Sequence, residues 1–447
     1  MSKRIYKSTK LQDVKVENVT AAVRGRRVVV GVDVAKFSFY AVVSTGRRSF
    51  EVTVRWEAPE ETDAFVAFVV ELRGAATEVV VAMEPTGTYG DALRARLESA
   101  GVAVFRVSPK RVHDAAEDFD GVPSSHDAKS AAIVAQQHWD DKSHRWLPRA
   151  ESERRLRALV EMAGECHAAT MPMLSRLESK LARFFPELTQ QMALGSTSLL
   201  TLLSEYPSPA RVASAPTKVT ELLLRAGRNM VSREKAETVL EAARTSTGEP
   251  MIAEEAEQIM SLCKDVLRLR ALQRTYDKRI EDLAKDRTDI AELGPVVGVM
   301  TAATIITTLG SPTDYAHPAA FVKALGLNLK VHSSGEYRGQ LHITKRGPGR
   351  LRALLFLAVL RLLKGNPIIG AWYQKKVKRD GEKRKYKAII AIMRKLAGAL
   401  WHVARGSAFD ASKLFDTRRL QLEPLPATDV GELDGELDGE LLASLAA

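Results

Sequence analysis

The stretch Val28-Val29-Val30-Gly31-Val32-Asp33-Val34-Ala35-Lys36-Phe37-Ser38-Phe39-Tyr40-Ala41-Val42-Val43 decides how the front of the chain is read. The run Val28 to Val32 is too short and too β-branched for a helix, so it reads as a buried strand. A turn at Ala35-Lys36 sends the chain back as a second strand. Asp33 ends the first strand. A carboxylate there is costly to bury unless a cation pairs with it. A divalent metal is one such cation, because hard ions take carboxylate oxygens. An aspartate capping a turn is the other reading.

Working outward, Val28 to Val54 reads as three strands, with a second turn at Thr45-Gly46-Arg47-Arg48. Pro59 to Leu72 has helical spacing, with Phe65, Phe68 and Val69 on one face. Glu78 to Met83 is another apolar strand and ends at Glu84-Pro85-Thr86-Gly87. Tyr89 to Ala100 reads as a helix stopped by Gly101, and Val102 to Val107 as a fifth strand. Lys110 to Glu117 is a short helix, and His126 to His138 a helix capped by Ser124 or Ser125. Three strands, helix, strand, helix, strand, helix is an α/β pattern with a mixed sheet. It is also the order of a ribonuclease-H-like domain, assigned to residues 26–150. Residues 1–25 read as a basic, flexible leader.

The chain has 447 residues, which predicts two or three domains, and 45% hydrophobic residues, enough for real cores. No apolar run approaches the ~18 residues of a membrane span, and the polar N-terminus lacks the apolar block of a signal peptide. Cys166 and Cys263 stand far apart in sequence. They predict a reducing, cytoplasmic setting and no thiolate metal site. The net charge of +11 favours a polyanionic partner, nucleic acid first. A basic ribosomal or surface-binding protein shares that number.

From Glu151 the composition turns helical, and residues 151–290 form a helical middle. Leu156, Leu159, Ala163, Leu174, Leu177, Leu181 and Phe184 recur at helical spacing. Ile259, Leu262, Val266, Leu269, Gln273, Tyr276, Ile280 and Leu283 alternate steps of three and four. That seam is either a long helix packed on its own chain or a coiled coil joining protomers. Glu187 to Pro250 reads as short helices with loops. Residues 291–408 form a second compact, mainly α unit. Its opening, Leu293-Gly294-Pro295-Val296-Val297-Gly298, reads as a tight turn feeding a helix from Thr301 to Leu309. Such a turn either exposes N–H groups to a phosphate or makes a plain core contact. Leu351 to Leu363 and Lys385 to Ala404 are helices. Residues 409–447 are acidic and low in complexity, with Gly-Glu-Leu-Asp repeating from Gly431, and read as disordered.

Three acids fall at equivalent places: Asp33 after the first strand, Glu84 after the fourth, and Asp127 at the start of the helix after the fifth. The ends of neighbouring central strands converge, and a helix N-terminus can join them. Three close carboxylates repel unless divalent cations bridge them. Two Mg²⁺ ions there can stabilise the attacking and leaving oxygens of a phosphodiester. A second constellation runs from His332 to Gly347 and contains Ser333-Ser334-Gly335. A serine beside glycine is ordinarily just a turn residue. Lys345, Arg346, Arg350 and Arg352 supply cations suited to a phosphate. Lys375, Lys376, Lys378, Arg379, Arg384, Lys385 and Lys387 are interleaved with Trp372, Tyr373 and Tyr386. That mixture suits backbone contacts plus base stacking, against a solvated helix face. No Walker loop, zinc spacing or dinucleotide fingerprint is present.

Together these residues resemble the DEDD transposases of bacterial insertion sequences, the bridge-RNA-guided serine recombinases related to the Piv invertase. The resemblance spans roughly Val28 to Arg405. Its front pieces are Gly31 to Lys36, Met83 to Gly87, Ser108-Pro109-Lys110-Arg111-Val112 and His126-Asp127-Ala128-Lys129. These resemble a RuvC-like half. Ala324 to Leu327, Ser333-Ser334-Gly335, Ile343 to Gly347 and Leu351-Arg352 resemble the family's second transposase domain. The resemblance implies RNA-directed recombination of DNA. Ser334 would attack a DNA phosphate and hold the strand as a phosphoserine, while Asp33, Glu84 and Asp127 bind Mg²⁺. Partners would be donor and target DNA, a structured guide RNA and further copies in a homodimer or homotetramer. A transesterification through serine conserves the phosphodiester energy, so no nucleotide cofactor is needed.

Two positions depart from the family pattern. Its fourth acid lies three residues after the third, where this chain has Ser130, and Val296 stands where the family favours glycine. Asp118 or Asp120 could substitute from the preceding loop. The competing functions are a junction-resolvase-like nuclease without a covalent step, and a nucleic-acid-binding relative without catalysis.

Overall fold

The valine run forms a strand buried on both faces: Val28, Val30 and Val32 enter one apolar cluster, and Val29 enters another on the opposite side. The computed structural model describes residues 7–85, 87–123, 126–330, 333–334, 337–338, 341–381 and 384–420. The chain divides into two units at Arg149/Ala150.

The first unit is a seven-stranded mixed sheet. Its elements in order are β1 (Thr9–Lys10), α1 (Val16–Val23), β2 (Arg27–Asp33), β3 (Ser38–Gly46), β4 (Ser49–Glu57), α2 (Thr62–Ala75), β5 (Glu78–Met83), α3 (Asp91–Ser99), β6 (Ala103–Arg106), α4 (Pro109–Asp114), α5 (Ala116–Asp120), α6 (Asp127–Trp139) and β7 (His144–Arg145). The spatial order is β1-β4-β3-β2-β5-β6-β7. β2, β3 and β4 form an antiparallel meander, and β5 and β6 add in parallel beyond β2. Val19 and Val23 of α1, Phe65 and Leu72 of α2, and Leu93 and Leu97 of α3 pack with the even valines of β2. Val112 of α4, Phe119 of α5 and the alanines of α6 pack with Val29, Val80 and Ala82. The mixed α/β reading of this region is therefore correct.

Three local expectations fail here. The leader is not loose throughout. β1 pairs in parallel with β4, and α1 buries Val19 and Val23, one turn apart. The helix expected over 110–117 breaks at Ala115 into α4 and α5. The cap of α6 is His126, whose ring accepts from the Ala128 N–H at 3.2 Å, while Ser124 and Ser125 lie outside the described residues.

The second unit is helical. α7 (Glu151–Phe184) leads through α8 (Leu188–Gln191), α9 (Thr197–Glu205), α10 (Pro209–Ser214), α11 (Pro216–Gly227) and α12 (Arg233–Arg244) to α13 (Ala253–Ala284). α13 returns antiparallel along α7. Lys180 donates to Gln258, while Leu156 shares a core with Ile280 and Ala284. Ile259, Cys263 and Val266 pack with Leu177 and Leu181 of α7 and Leu199 and Leu203 of α9. Ile259, Val266 and Ile280 of the apolar seam are thus buried against the chain's own helices, as the first of the two readings expects, while Leu262 and Leu269 stay half-buried.

α14 (Thr288–Val297), α15 (Val299–Leu309) and α16 (Pro318–Ala324) follow, then β8 (Leu329–Lys330), β9 (Ser333–Ser334), β10 (Tyr337–Arg338) and β11 (His342–Ile343). β9 pairs with β10, and β11 with β8, all antiparallel. α17 (Gly349–Gly365), α18 (Pro367–Asp380) and α19 (Lys385–Val403) complete the unit, and 3₁₀ turns at Ala411–Lys413 and Thr417–Arg419 lie within the segment expected to be disordered. The turn expected at 293–298 is instead the last turn of α14, and the chain breaks only at Gly298. Arg361 donates to the Val296 carbonyl at 3.0 Å and so caps that helix end. A core contact, not a phosphate cradle, occupies the position. No single helix among the described residues is long and apolar enough to cross a membrane.

Candidate acidic site and nucleic-acid surface

Asp33 is the last residue of β2, and Glu84 follows the last residue of β5. Val32 and Met83 are register partners, and the Glu84 N–H donates to the Val32 carbonyl at 3.3 Å. The parallel ladder therefore delivers both carboxylates to the same end of adjacent strands.

Asp127 arrives by a different route. A Cβ built on Gly31 would stand 2.2 Å from the Ala131 carbonyl oxygen and 2.6 Å from the Ala135 nitrogen. Only glycine lets the α6 backbone lie this close to β2. Ala128, Ala131, Ala132 and Ala135 are all buried on α6, so the helix approaches through small side chains. Asp127 lies one turn before Ala131, at the strand-end side of that contact. Gly31 and these alanines were not recognised as part of the site from sequence. The signal was a glycine inside a strand together with small residues recurring on a later helix.

Electrostatics agrees with the placement. Burial first, then the negative charges of Glu84 and Asp127, push the Asp33 carboxyl up to about 7, against a small opposing hydrogen bond from the Val34 backbone. Burial also raises Glu84. None of the three acids has an ion-pair partner among the described residues. Even so, among the described residues no three His, Cys, Asp or Glu side chains converge as a ready-made metal cage. Glu84 and Asp127 nonetheless both act on Asp33 through their charge. The donor set itself, hard oxygens with uncompensated charge, fits a divalent ion such as Mg²⁺.

Beside Glu84 opens a cavity of about 630 Å³, lined among others by Pro109, His113, Glu117, Lys129 and Ser130. Ser130 therefore reaches the same recess as Glu84 but brings a hydroxyl. Lys129 is buried and ion-pairs with Asp120 at 2.7 Å while donating to the Val122 carbonyl at 2.6 Å. Asp120 is thereby committed to Lys129 and does not stand in for a fourth acid. Asp118 is exposed on α5.

In the second unit, β9 carries Ser333 and Ser334, with Ser334 in register with Tyr337 and Ser333 with Arg338. Their side chains lie outside the described residues. Lys345 and Arg346 are exposed on the segment between β11 and α17. That segment is tied down by the Lys345 N–H to the Gly326 carbonyl at 3.0 Å. Gly347 lies against the Ala324 carbonyl, where a Cβ would come to 2.4 Å.

The basic residues divide. Arg352 is fully buried and donates to the Gly347 carbonyl at 2.8 Å, so its expected phosphate role is withdrawn. Its place on α17 is one turn before Leu355 and Phe356, on the buried face. Arg350 keeps an exposed portion but turns its guanidinium onto α7, donating to the Val160 carbonyl at 3.0 Å. Lys376 and Arg379 both pair with Asp380, whose carboxyl they hold far below its usual range. Lys375, Lys378, Arg379, Arg384 and Lys387 are exposed, and Lys385 is half-buried. The interleaved aromatics do not offer rings to bases. Tyr373 is buried, Trp372 packs on Phe415 with ring centroids 4.6 Å apart, and Tyr386 leans on Phe356.

Residues 30–186 match a family model of DEDD type described as transposase, covering the three acids. The chain is thus built on a transposase domain. Residues 290–374 match a second model, described as transposase IS116/IS110/IS902 family, and both domains are of that insertion-element family. The chain is 22% identical over 264 residues to an insertion element IS110 uncharacterized 43.6 kDa protein of Streptomyces coelicolor, covering 58% of this chain and 65% of that one. It is 25% identical over 405 residues to an insertion element IS900 uncharacterized 42 kDa protein of Mycobacterium paratuberculosis, covering 85% and 96%. The chain spans just under two thirds of the first relative's length.

Proposed function

We propose that the chain is a DNA transposase whose acidic strand ends hold Mg²⁺ at a scissile phosphodiester, in a ribonuclease-H-like, RuvC-like domain. The observation that carries this reading is Asp33: a carboxyl pushed up to about 7 by burial and by two neighbouring acids, with no ion-pair partner among the described residues. Mg²⁺ is commonly held by one or two carboxylates with water and substrate phosphate completing its shell. Asp33 and Glu84 suit that role, with Asp127 at the helix start beside them. When bound, the ion would offset charge developing on the phosphate oxygens.

The covalent step of this proposal belongs to Ser334. Its hydroxyl oxygen forms a bond to phosphorus, one strand oxygen leaves, and the hydroxyl proton passes to water. Attack by another strand's hydroxyl then releases the serine. Lys345, Arg346, Lys375, Lys378, Arg379, Arg384, Lys385 and Lys387 would neutralise nucleic-acid phosphates. A structured guide RNA and assembly as a homodimer or homotetramer complete the reading, and the resemblance of the motifs supports them. Ser130 favours a second reading, in which the chain binds nucleic acid without cutting it.

The test is a denaturing gel of protein with labelled element-end DNA. A Mg²⁺-dependent covalent adduct is expected, absent in Ser334→Ala and Asp33→Asn. Free ends persisting in Ser334→Ala would make the enzyme a nuclease. Intact DNA under every condition would favour the binding-only reading.

A further inference from the structure

Among the described residues, only two Phe, Tyr or Trp side chains are exposed, Phe37 at 63% and Tyr89 at 48%. Each lies within five residues of an acid at the sheet end, Phe37 after Asp33 and Tyr89 after Glu84. Phe37 immediately precedes β3, where Tyr40 is the register partner of Asp33. It therefore stands three residues, about 10 Å, beyond the level of Asp33. Its carbonyl accepts from the Ala58 N–H at 2.7 Å, which fixes the backbone at that edge. Tyr89 is held from the other side. A Cβ on the next residue, Gly90, would come within 3.2 Å of Met83 and 3.4 Å of Val34, so this loop packs directly on the ends of β5 and β2.

Exposed rings cost hydration free energy unless something covers them. The other described Phe, Tyr and Trp side chains are buried or half-buried, including the three that sit among the basic residues of α18 and α19. Phe37 also carries a cation: the Lys36 ammonium lies 4.9 Å from the ring centroid. A flat apolar face beside a positive charge matches a nucleobase joined to its phosphate.

We propose that Phe37 and Tyr89 form a stacking platform that receives unstacked bases of the DNA strand next to the phosphodiester held by the acidic site. This rests on the reading of that site as a phosphodiester site. Separation of about 10 Å corresponds to one or two nucleotides from the cut, so the platform would splay the strand there. It would select single-stranded or distorted DNA over a continuous duplex.

The experiment uses the full chain and a mixed-sequence 20-nucleotide DNA single strand carrying 5-iodouracil, with its duplex as comparison. Ultraviolet crosslinking followed by peptide mapping is expected to place adducts on Phe37 or Tyr89. Phe37→Ala should weaken single-strand binding roughly tenfold, the scale of one lost base stack. The slope of affinity against salt should not change, because no phosphate contact is removed. Phe37→Trp should restore binding, and duplex affinity should not move. Wild-type affinity in Phe37→Ala and Tyr89→Ala, with adducts only elsewhere, overturns the platform. Asp33→Asn separates the two ideas. If it keeps the Phe37-dependent binding while wild-type protein cuts nothing in Mg²⁺, the platform stands and the acidic-site reading falls.

Discussion

Replacing Asp33 by asparagine should stabilise the metal-free protein at alkaline pH, although it removes a residue we place at the heart of the site. The folded state holds the Asp33 carboxyl at about 7, against an ordinary value of 3.8. A carboxyl raised on folding contributes stability that is complete below about pH 4 and is lost as pH climbs through about 7. At roughly 1.4 kcal/mol per pH unit, the rise corresponds to at most about 4 kcal/mol. Water reaching the partly open strand end cuts this to roughly 2 kcal/mol. For a unit of this size that is a melting-temperature gain of roughly 4–8 °C for Asp33→Asn at pH 8 in EDTA. Near pH 4 the two proteins should melt together. Adding Mg²⁺ at pH 8 should raise the wild-type melting temperature, and should raise it less at pH 5.5, where protons compete. The variant should gain little at either pH. The assay is thermal denaturation followed by near-ultraviolet circular dichroism. A variant less stable than wild type at pH 8 in EDTA would refute the reasoning, because it would mean Asp33 is already neutralised by a partner in the fold.

Gly31→Ala should destabilise the first unit by about 3 kcal/mol, since the new methyl would meet the Ala131 carbonyl at 2.2 Å and α6 must lift. Urea denaturation checks it, and an unchanged midpoint would show that α6 does not depend on that approach. Lys378→Ala should lower the slope of nucleic-acid affinity against salt by about 1. Arg352→Ala should leave that slope unchanged but lower stability, because Arg352 is fully buried. A reversed pattern would mean that α17 presents its inner face to nucleic acid.

The legible parts of this sequence were those where one local signal sufficed. The valine run ending at Asp33 and the run ending at Glu84 fix two strand ends without help from anywhere else. Elsewhere charge masks period. Arg352 stands three and four residues before Leu355 and Phe356, so the 3.6-residue repeat alone put it on the buried face. Tyr373 follows buried Ile369 by four for the same reason. The leader's basic residues likewise mask Val16, Val19 and Val23, an apolar stripe that seats α1. Gly31 posed a harder problem. Its role depends on a helix that begins 96 residues later, and only the fold brings the two backbones together.

The acidic site also explains why the sheet is built as it is. Collecting unpaired carboxylates at one strand end works against folding, so the elements that carry them must be strongly held otherwise. β2 is buried on both faces and bonded on both edges, β5 likewise lies between two strands, and α6 is fastened through Gly31 and through the buried Lys129–Asp120 pair. Each acid is thus attached at the end of a rigid element, and the charge it carries cannot be relieved by moving away. Protonation relieves part of it, as the Asp33 carboxyl held at about 7 shows, and on the proposed reading a cation and the phosphate it brings would relieve the rest. Ser130 fits the same logic. It faces the recess beside Glu84, where a fourth carboxylate would have added to the repulsion that already lifts Asp33. A hydroxyl there lowers the cost of folding the metal-free chain and, on the proposed reading, would leave more of the ion's shell to water and substrate.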